Sequence, residues 1–535
     1  MIDLYDTTLR DGTQGEGVSI SAPDKVRIAK RLDDFGIRYI EGGWPGSNPR
    51  DIEFFELIRK EKVKKAKIAA FGSTRHNKYQ ASEDPNLAAL LQAKCPVVTI
   101  FGKSWDLHVT AALRVTHEQN LKMISDSVKF LKGKKLEVIY DAEHFFDGYK
   151  ANPDYALKTL AAAAEAGADC LVLCDTNGGC LPWEIEEMIR AVRQSTSSPL
   201  GIHTHNDAGL AVANALVAVR AGARHVQGTI NGYGERTGNM NLCTLIPNLM
   251  LKMNKRCIPA GKLQELTKLS LFVSELANVL PDDRQPFVGR SSFAHKGGIH
   301  VSAVQRHEAT YEHIRPEQVG NVRRVLISDL SGKSNIDFKS RQLAIDFEKK
   351  PEAMKTILDE IKVKENEGWN YEAADASLEI LMKKHLGQHR DFFDLAGFRV
   401  IVEKRQTGEV LTEATVKVKV GDRSMHTAAE GEGPVNALDN ALRKALEAFY
   451  PQLAQVRLTD YKVRVLDATE GTAAQVRVLI ESRDAEHEWN TVGVSENIIE
   501  ASYQALVDSI DYKLLKYIDR AKAPKAAAAK KGTPE

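Results

Sequence analysis

The first 250 residues alternate between strand-like and helix-like segments, and this alternation limits the possible folds more than any other feature. Eight strand candidates can be read: Ile2–Thr8, Tyr39–Trp44, Lys67–Gly72, Val97–Gly102, Glu137–Ala142, Cys170–Asp175, Leu200–His205 and His225–Ile230. Most lie about 25–35 residues apart, with amphipathic or Ala-rich stretches between them such as Ala22–Phe35, Thr116–Leu131, Pro153–Ala166, Glu184–Thr196 and Leu210–Ala221. Alternating strand and helix implies a parallel sheet. Eight such units predict a closed (β/α)8 barrel, an α/β fold whose site lies at the strand C-terminal ends. A doubly wound open sheet is the alternative. It would normally carry a Gly-rich dinucleotide fingerprint after its first strand, and Arg10-Asp11-Gly12-Thr13-Gln14-Gly15 is not one.

Two short motifs fall at strand ends in this scheme: Asp6-Thr7-Thr8-Leu9-Arg10-Asp11-Gly12 and His203-Thr204-His205-Asn206-Asp207. His203 and His205 are two apart on a strand, so both imidazoles point to one side. Asp11 is expected to end the first strand. One carboxylate and two imidazoles make a site for a divalent cation with room for substrate oxygens. Asn239, in the Gly-rich stretch after the eighth strand, offers a further carbonyl ligand. Arg10 is the natural electrophile for a keto oxygen. Glu143 and Thr176 follow the fifth and sixth strands; the first can position substrate or move a proton, the second can bind a substrate carboxylate. An amidohydrolase barrel places His-x-His on its first strand. Here it comes seventh, which favours a 2-oxo acid held through carboxylate and carbonyl over amide hydrolysis.

At 535 residues the chain is expected to hold two or three domains. Its net charge of +1 gives no pull toward nucleic acid or an anionic membrane. No apolar run approaches the roughly 20 residues of a membrane span. The acidic start Met1-Ile2-Asp3-Leu4-Tyr5-Asp6 does not read as a signal peptide. The six cysteines form no Cys-x-x-Cys pair and read as reduced core thiols of a cytoplasmic protein. We expect domains at 1–265 (barrel), 266–385 (helical linker), 386–516 (α+β, an internal βββα repeat) and a disordered tail at 517–535. Ala294–His300 reads as a placed loop turned by Gly297 and Gly298, and Ser495 as the cap of the last helix.

Asp6–Gly12, His203–Asp207 and Gly232–Asn239, in this order, resemble the aldolase-like barrel family that includes isopropylmalate, homocitrate and citramalate synthases and hydroxymethylglutaryl-CoA lyase. The segment Ala294–His300 and the 390–515 repeat resemble its synthase branch, so the likeness covers nearly the whole chain to about 515. Gly42–Pro49 and His295–Ser302 look most like the long bacterial citramalate synthases.

The resemblance implies a Claisen-type condensation of acetyl-CoA with pyruvate, giving citramalate and CoA, in isoleucine biosynthesis. It implies that Asp11, His203, His205 and Asn239 hold magnesium, manganese, cobalt or zinc. Arg10 polarises the keto group, and Glu143 and Thr176 line the 2-oxo acid pocket. His300 takes a methyl proton from acetyl-CoA with Tyr311 close by. Ser302 stands where related synthases often carry an acid, so another group would set His300. A homodimer with shared sites and a branched-chain amino-acid effector, isoleucine, are implied by the same likeness. The alternatives are the same chemistry on 2-oxoisovalerate or 2-oxoglutarate, an acyl-CoA lyase, and an inactive amino-acid sensor.

Overall fold

The computed structural model describes residues 1–348, 350–466 and 474–522. All eight expected strands form: β1 Asp3–Asp6, β2 Tyr39–Gly43, β3 Lys67–Ser73, β4 Val97–Lys103, β5 Glu137–Glu143, β6 Cys170–Asp175, β7 Leu200–Thr204 and β8 His225–Gly228. They pair in parallel in chain order, and β8 closes on β1 with Asp3 opposite His225 and Asp6 opposite Gly228. The strands are buried on both faces, which is why they read as near-continuous apolar runs. Their outward residues, such as Leu4, Ile40, Val98, Leu171 and Ile202, join one large core with the surrounding helices. Their inward residues Tyr5, Tyr39, Ala69, Val97, Ile139 and Val172 pack together in the lumen.

Local chemistry fixes the helix ends. The helix Ala22–Phe35 starts where the Ser21 side chain accepts from the Asp24 amide, and it stops at Gly36. That residue has φ 105°, and a Cβ there would lie 2.2 Å from Pro259 Cδ, so glycine is required by conformation and by space. Leu266, Leu269 and Val273 of the helix Leu266–Ala277 are buried in the barrel's core, so the compact unit continues past residue 265.

Two compact units are present, Met1–Phe293 with Ile314–Arg323, and Ala294–His313 with the chain from Arg324 onward. In the second, β9 Ala294–His295 pairs with β10 Arg324–Val325. The loop expected over Ala294–His300 is only partly a loop. Gly297 caps the helix Gly298–Arg306, which places His300 in its first turn. Three helices follow, Lys333–Gln342, Ala353–Asn366 and Asp375–Leu386, around Ile336, Ile357, Ile361, Leu378 and Met382.

The repeat is then complete. Strands β11 Asp394–Lys404, β12 Val410–Val420 and β13 Arg423–Glu430 precede the helix Pro434–Leu446. Strands β14 Arg457–Val465, β15 Val476–Arg483 and β16 Glu488–Ser495 precede the helix Ile498–Lys522. Both sheets are antiparallel in sequence order, and the two halves share one core through Val416, Val418, Leu438, Leu442, Val478, Ile480 and Ala505. Asn497, not Ser495, caps the last helix: its Oδ1 accepts from the amide of Ile499 at 2.8 Å, while Ser495 Oγ accepts from Asn497. The tail expected from residue 517 is helical through Lys522; residues 523–535 lie outside the described residues. All six cysteines are buried free thiols.

Candidate active site

At the C-terminal end of the barrel, β1 stops at Asp6 and Asp11 sits five residues further on, not on the strand itself. The turn that carries it is tied to Thr7, whose carbonyl accepts from the amides of Arg10 and Gly12 at 3.1 and 3.0 Å. Asp11 Oδ2 thereby lies 3.5 Å from His203 Nε2 and 3.9 Å from His205 Nε2. The two Nε2 atoms are 3.2 Å apart. These three residues are the one cluster among the described residues with metal-ligand spacing, and all are buried.

The segment after β8 folds back so that Asn239 bridges to His205, past the end of β7. Gly234 permits the approach: at φ 154° it leaves a space where a Cβ would fall 2.2 Å from Asn239 Nδ2. Asn239 Nδ2 donates to the Tyr233 carbonyl, while its Oδ1 is buried with no hydrogen-bond partner. A buried orphan carbonyl costs free energy unless something accepts it as a ligand.

The electrostatics suit a cation. Burial holds the His203 imidazole below its ordinary value, and burial together with His203 pushes His205 down to about 4. Both are therefore neutral near pH 7, the form that ligates a metal. Burial works to raise Asp11, but Arg10 and the two histidines outweigh it and hold the carboxyl low. The donor set thus fits a divalent ion, with Asp11, His203 and His205 as ligands and Asn239 Oδ1 in reserve.

Arg10 is fixed on three sides. Its Nε donates to Glu41 Oε1 at 2.5 Å, its Nη1 lies 3.4 Å from Asp11 Oδ2, and its guanidinium carbon sits 3.7 Å from the Phe71 ring centroid. Glu41, fully buried, also accepts from Tyr5 at 2.5 Å and Thr7 at 2.6 Å. Glu143 pairs with Lys103. Thr176 Oγ1 accepts from the His144 amide at 2.9 Å. Arg10, Asp11, Glu143, Thr176, His203 and His205 all line one cavity of about 210 Å³. Its apolar side is Trp44, Phe71 and Phe101, packed with ring centroids 5.5–5.8 Å apart.

His300 and Tyr311 belong to the second unit, where their rings stack at 4.1 Å; Tyr311 is exposed. The barrel therefore assembles seven of the nine residues singled out from sequence, while these two form a pair of their own. Sequence reasoning missed Glu41, Asp141 and Gln227. Glu41 is the one charged residue of β2, whereas Asp141 shares β5 with Glu137 and Glu143, and Gln227 shares β8 with His225; the period of two that puts them inward was the available signal.

The closed (β/α)8 barrel carries Arg-Asp after its first strand and His-x-His at the end of its seventh, and residues 1–273 match the HMGL-like family model, so the chain is an HMGL-like barrel protein. Residues 287–368 match the homocitrate synthase post-HMGL domain-like family, and 372–514 the LeuA allosteric (dimerisation) domain. The chain is 61% identical to the (R)-citramalate synthase of Geobacter sulfurreducens over 96% of its own length and 98% of that protein. It is 56% identical to the (R)-citramalate synthase of Aquifex aeolicus, over 96% and 98% of the two chains, and 31% identical to the 2-isopropylmalate synthase of Methanocaldococcus jannaschii, over 96% and 95%. The chain belongs to the (R)-citramalate synthase family of HMGL-like barrels.

Proposed function

We propose that this protein is a metal-dependent acyltransferase that condenses acetyl-CoA with pyruvate to (R)-citramalate and CoA. The observation that carries the metal-dependent chemistry is the triangle of Asp11, His203 and His205 with Arg10 held beside it. Magnesium, manganese, cobalt or zinc would suit these ligands; a bound ion would be chelated by the 2-oxo acid and would supply Lewis-acid stabilisation of charge on the keto oxygen. Arg10 donates to that same oxygen, and Thr176 and Glu143 orient the carboxylate side. His300, with Tyr311, takes a proton from the acetyl methyl group. The methyl carbon then bonds to C2 of pyruvate, the former keto oxygen takes up a proton, and water cleaves the thioester to release CoA.

His300 comes from a segment apart from the barrel unit, and we assign it to the site of a partner subunit in a homodimer. We assign to the segment 372–514 a branched-chain amino-acid effector, isoleucine, a reading supported by its match to an allosteric (dimerisation) domain, and we assign the enzyme to isoleucine synthesis in the cytoplasm. No helix among the described residues is long and apolar enough to cross a membrane. The test is CoA release from acetyl-CoA with pyruvate, 2-oxoisovalerate and 2-oxoglutarate, before and after chelation, with and without isoleucine. Strong turnover on pyruvate that chelation abolishes is expected. Full activity in ion-free protein would overturn the metal role, and preference for another 2-oxo acid would overturn the substrate.

A further inference from the structure

We propose that Gln227 is a positioning residue for the metal site: it locks His203 in the tautomer that presents Nε2 to the ion, and Asp141 in turn locks Gln227. The inference rests on the metal reading above. His203 Nδ1 lies 3.0 Å from Gln227 Oε1, and Gln227 Nε2 donates to Asp141 Oδ1 at 2.9 Å. All three side chains are buried, at 6%, 1% and 4% exposure, so no solvent competes for these bonds. They come from β7, β8 and β5, and the chain of bonds therefore crosses the lumen of the barrel.

Ligation of an ion by His203 Nε2 fixes the polarity of these bonds. His203 Nε2 faces Asp11 and His205 Nε2, so it must keep its lone pair to serve as a ligand. The ring proton then resides on Nδ1 and needs an acceptor. The Gln227 carbonyl supplies it, which turns the Gln227 NH2 toward Asp141. An Asp141 oxygen accepts that bond whether or not the carboxyl carries a proton. With the lone pair kept on His203 Nε2, the two bonds that join His203, Gln227 and Asp141 admit this arrangement of donors alone. His205 lacks such a link: its Nδ1 is buried without a hydrogen-bond partner, and its place is set by the backbone bridge to Asn239. Asp141 also lines the substrate cavity, so the chain ties the wall of that cavity to one ligand of the ion. Partners that orient a ligating histidine typically change metal affinity 10–100-fold when removed.

The experiment uses the full-length protein and two readouts. Mn2+ affinity is measured by the paramagnetic signal of the free ion, and the His203 tautomer by 15N spectra of histidine-labelled, ion-free protein, assigned by loss of the signal in His203→Gln. Gln227→Leu should weaken Mn2+ binding about 10–100-fold and lose the single Nδ1–H form. Asp141→Asn keeps an acceptor and should stay within about 3-fold of wild type. Asp141→Leu should fall between the two. Wild-type Mn2+ affinity together with an unchanged His203 signal in Gln227→Leu would overturn the proposal. If Gln227→Leu fails to fold, Gln227→Glu keeps the acceptor for Nδ1, and loss of the Nδ1–H form there counts equally against it. A wild-type protein that binds no Mn2+ would sink the metal reading instead, and the ion-free spectra would still decide the chain of bonds.

Discussion

Arg10, in the turn that follows β1, and Glu41, on the neighbouring β2, form an ion pair at 2.5 Å, and Glu41 has no contact with solvent at all. The carboxylate gathers three donors, so it holds the guanidinium at a fixed height over Phe71 and beside Asp11. Glu41→Ala should lower kcat about 100-fold by letting Arg10 drift, and destabilise the fold by roughly 3 kcal/mol because the pair is broken from one side. Glu41→Gln keeps the hydroxyl bonds and should lose less of both. Steady-state kinetics and thermal melts check this; wild-type kcat in Glu41→Ala would show that Arg10 needs no such anchor.

Trp44, Phe71 and Phe101 form the apolar wall of the cavity to which pyruvate is assigned above. Trp44 is pinned by its Nε1 donating to Asn86 Oδ1 at 2.8 Å. An isopropyl group overpacks such a wall, so kcat/KM for pyruvate should exceed that for 2-oxoisovalerate roughly 100-fold. Trp44→Ala should narrow that ratio. A ratio unchanged in the variant would place the specificity elsewhere.

If His300 serves the partner's site, Asp11→Ala and His300→Ala homodimers are each nearly inactive, yet mixing them restores turnover. A mixed dimer has one site with both defects and one with neither. With random pairing about half the dimers are mixed, so about a quarter of wild-type activity should return. Co-expression with two affinity tags isolates the mixed species. No recovery in confirmed mixed dimers would return His300 to its own chain or remove it from the reaction.

His225 gives the fold an acid limit. It is buried between Tyr5 and Tyr39, its Nε2 has no hydrogen-bond partner, and burial together with the Arg38 charge pushes it down to about 3. The unfolded chain takes up a proton near the ordinary value of 6.5, which the folded chain refuses. Its stabilising share is thus whole above 6.5, shrinks as pH falls, and is gone below about 3. His225→Phe should reduce the loss of stability between pH 7 and pH 4.5 by roughly 2 kcal/mol. Urea midpoints at the two pH values measure it; equal losses in both proteins would refute it.

How legible was this in the sequence? The eight strands were, because parallel strands buried on both faces write long apolar runs, and His203 and His205 stood out as paired ligands in one of them. Asp11 was read as the end of the first strand; the strand stops at Asp6, and it is the turn tied to Thr7 that carries Asp11 to the histidines. Glu41 and Gln227 were not found, because a polar residue inside a short strand looks like noise until register shows what faces it. The helix carrying His300 was read as a loop because Gly297 and Gly298 signal a break, and a glycine also caps a helix start. Ser495 lost the cap to Asn497 for a similar reason: two residues of cap type stood two positions apart, and only the backbone decided.

Burial of every cysteine has a practical meaning. Burial pushes Cys95, Cys243 and Cys257 up to about 12, and Cys170, Cys174 and Cys180 are raised as well. None presents a thiolate near neutral pH. Toward a chromogenic disulfide reagent the native enzyme is therefore a silent background, and colour in a turnover assay counts free coenzyme alone. The same silence breaks when the chain opens, so the appearance of protein-derived colour without substrate is a clock for global unfolding.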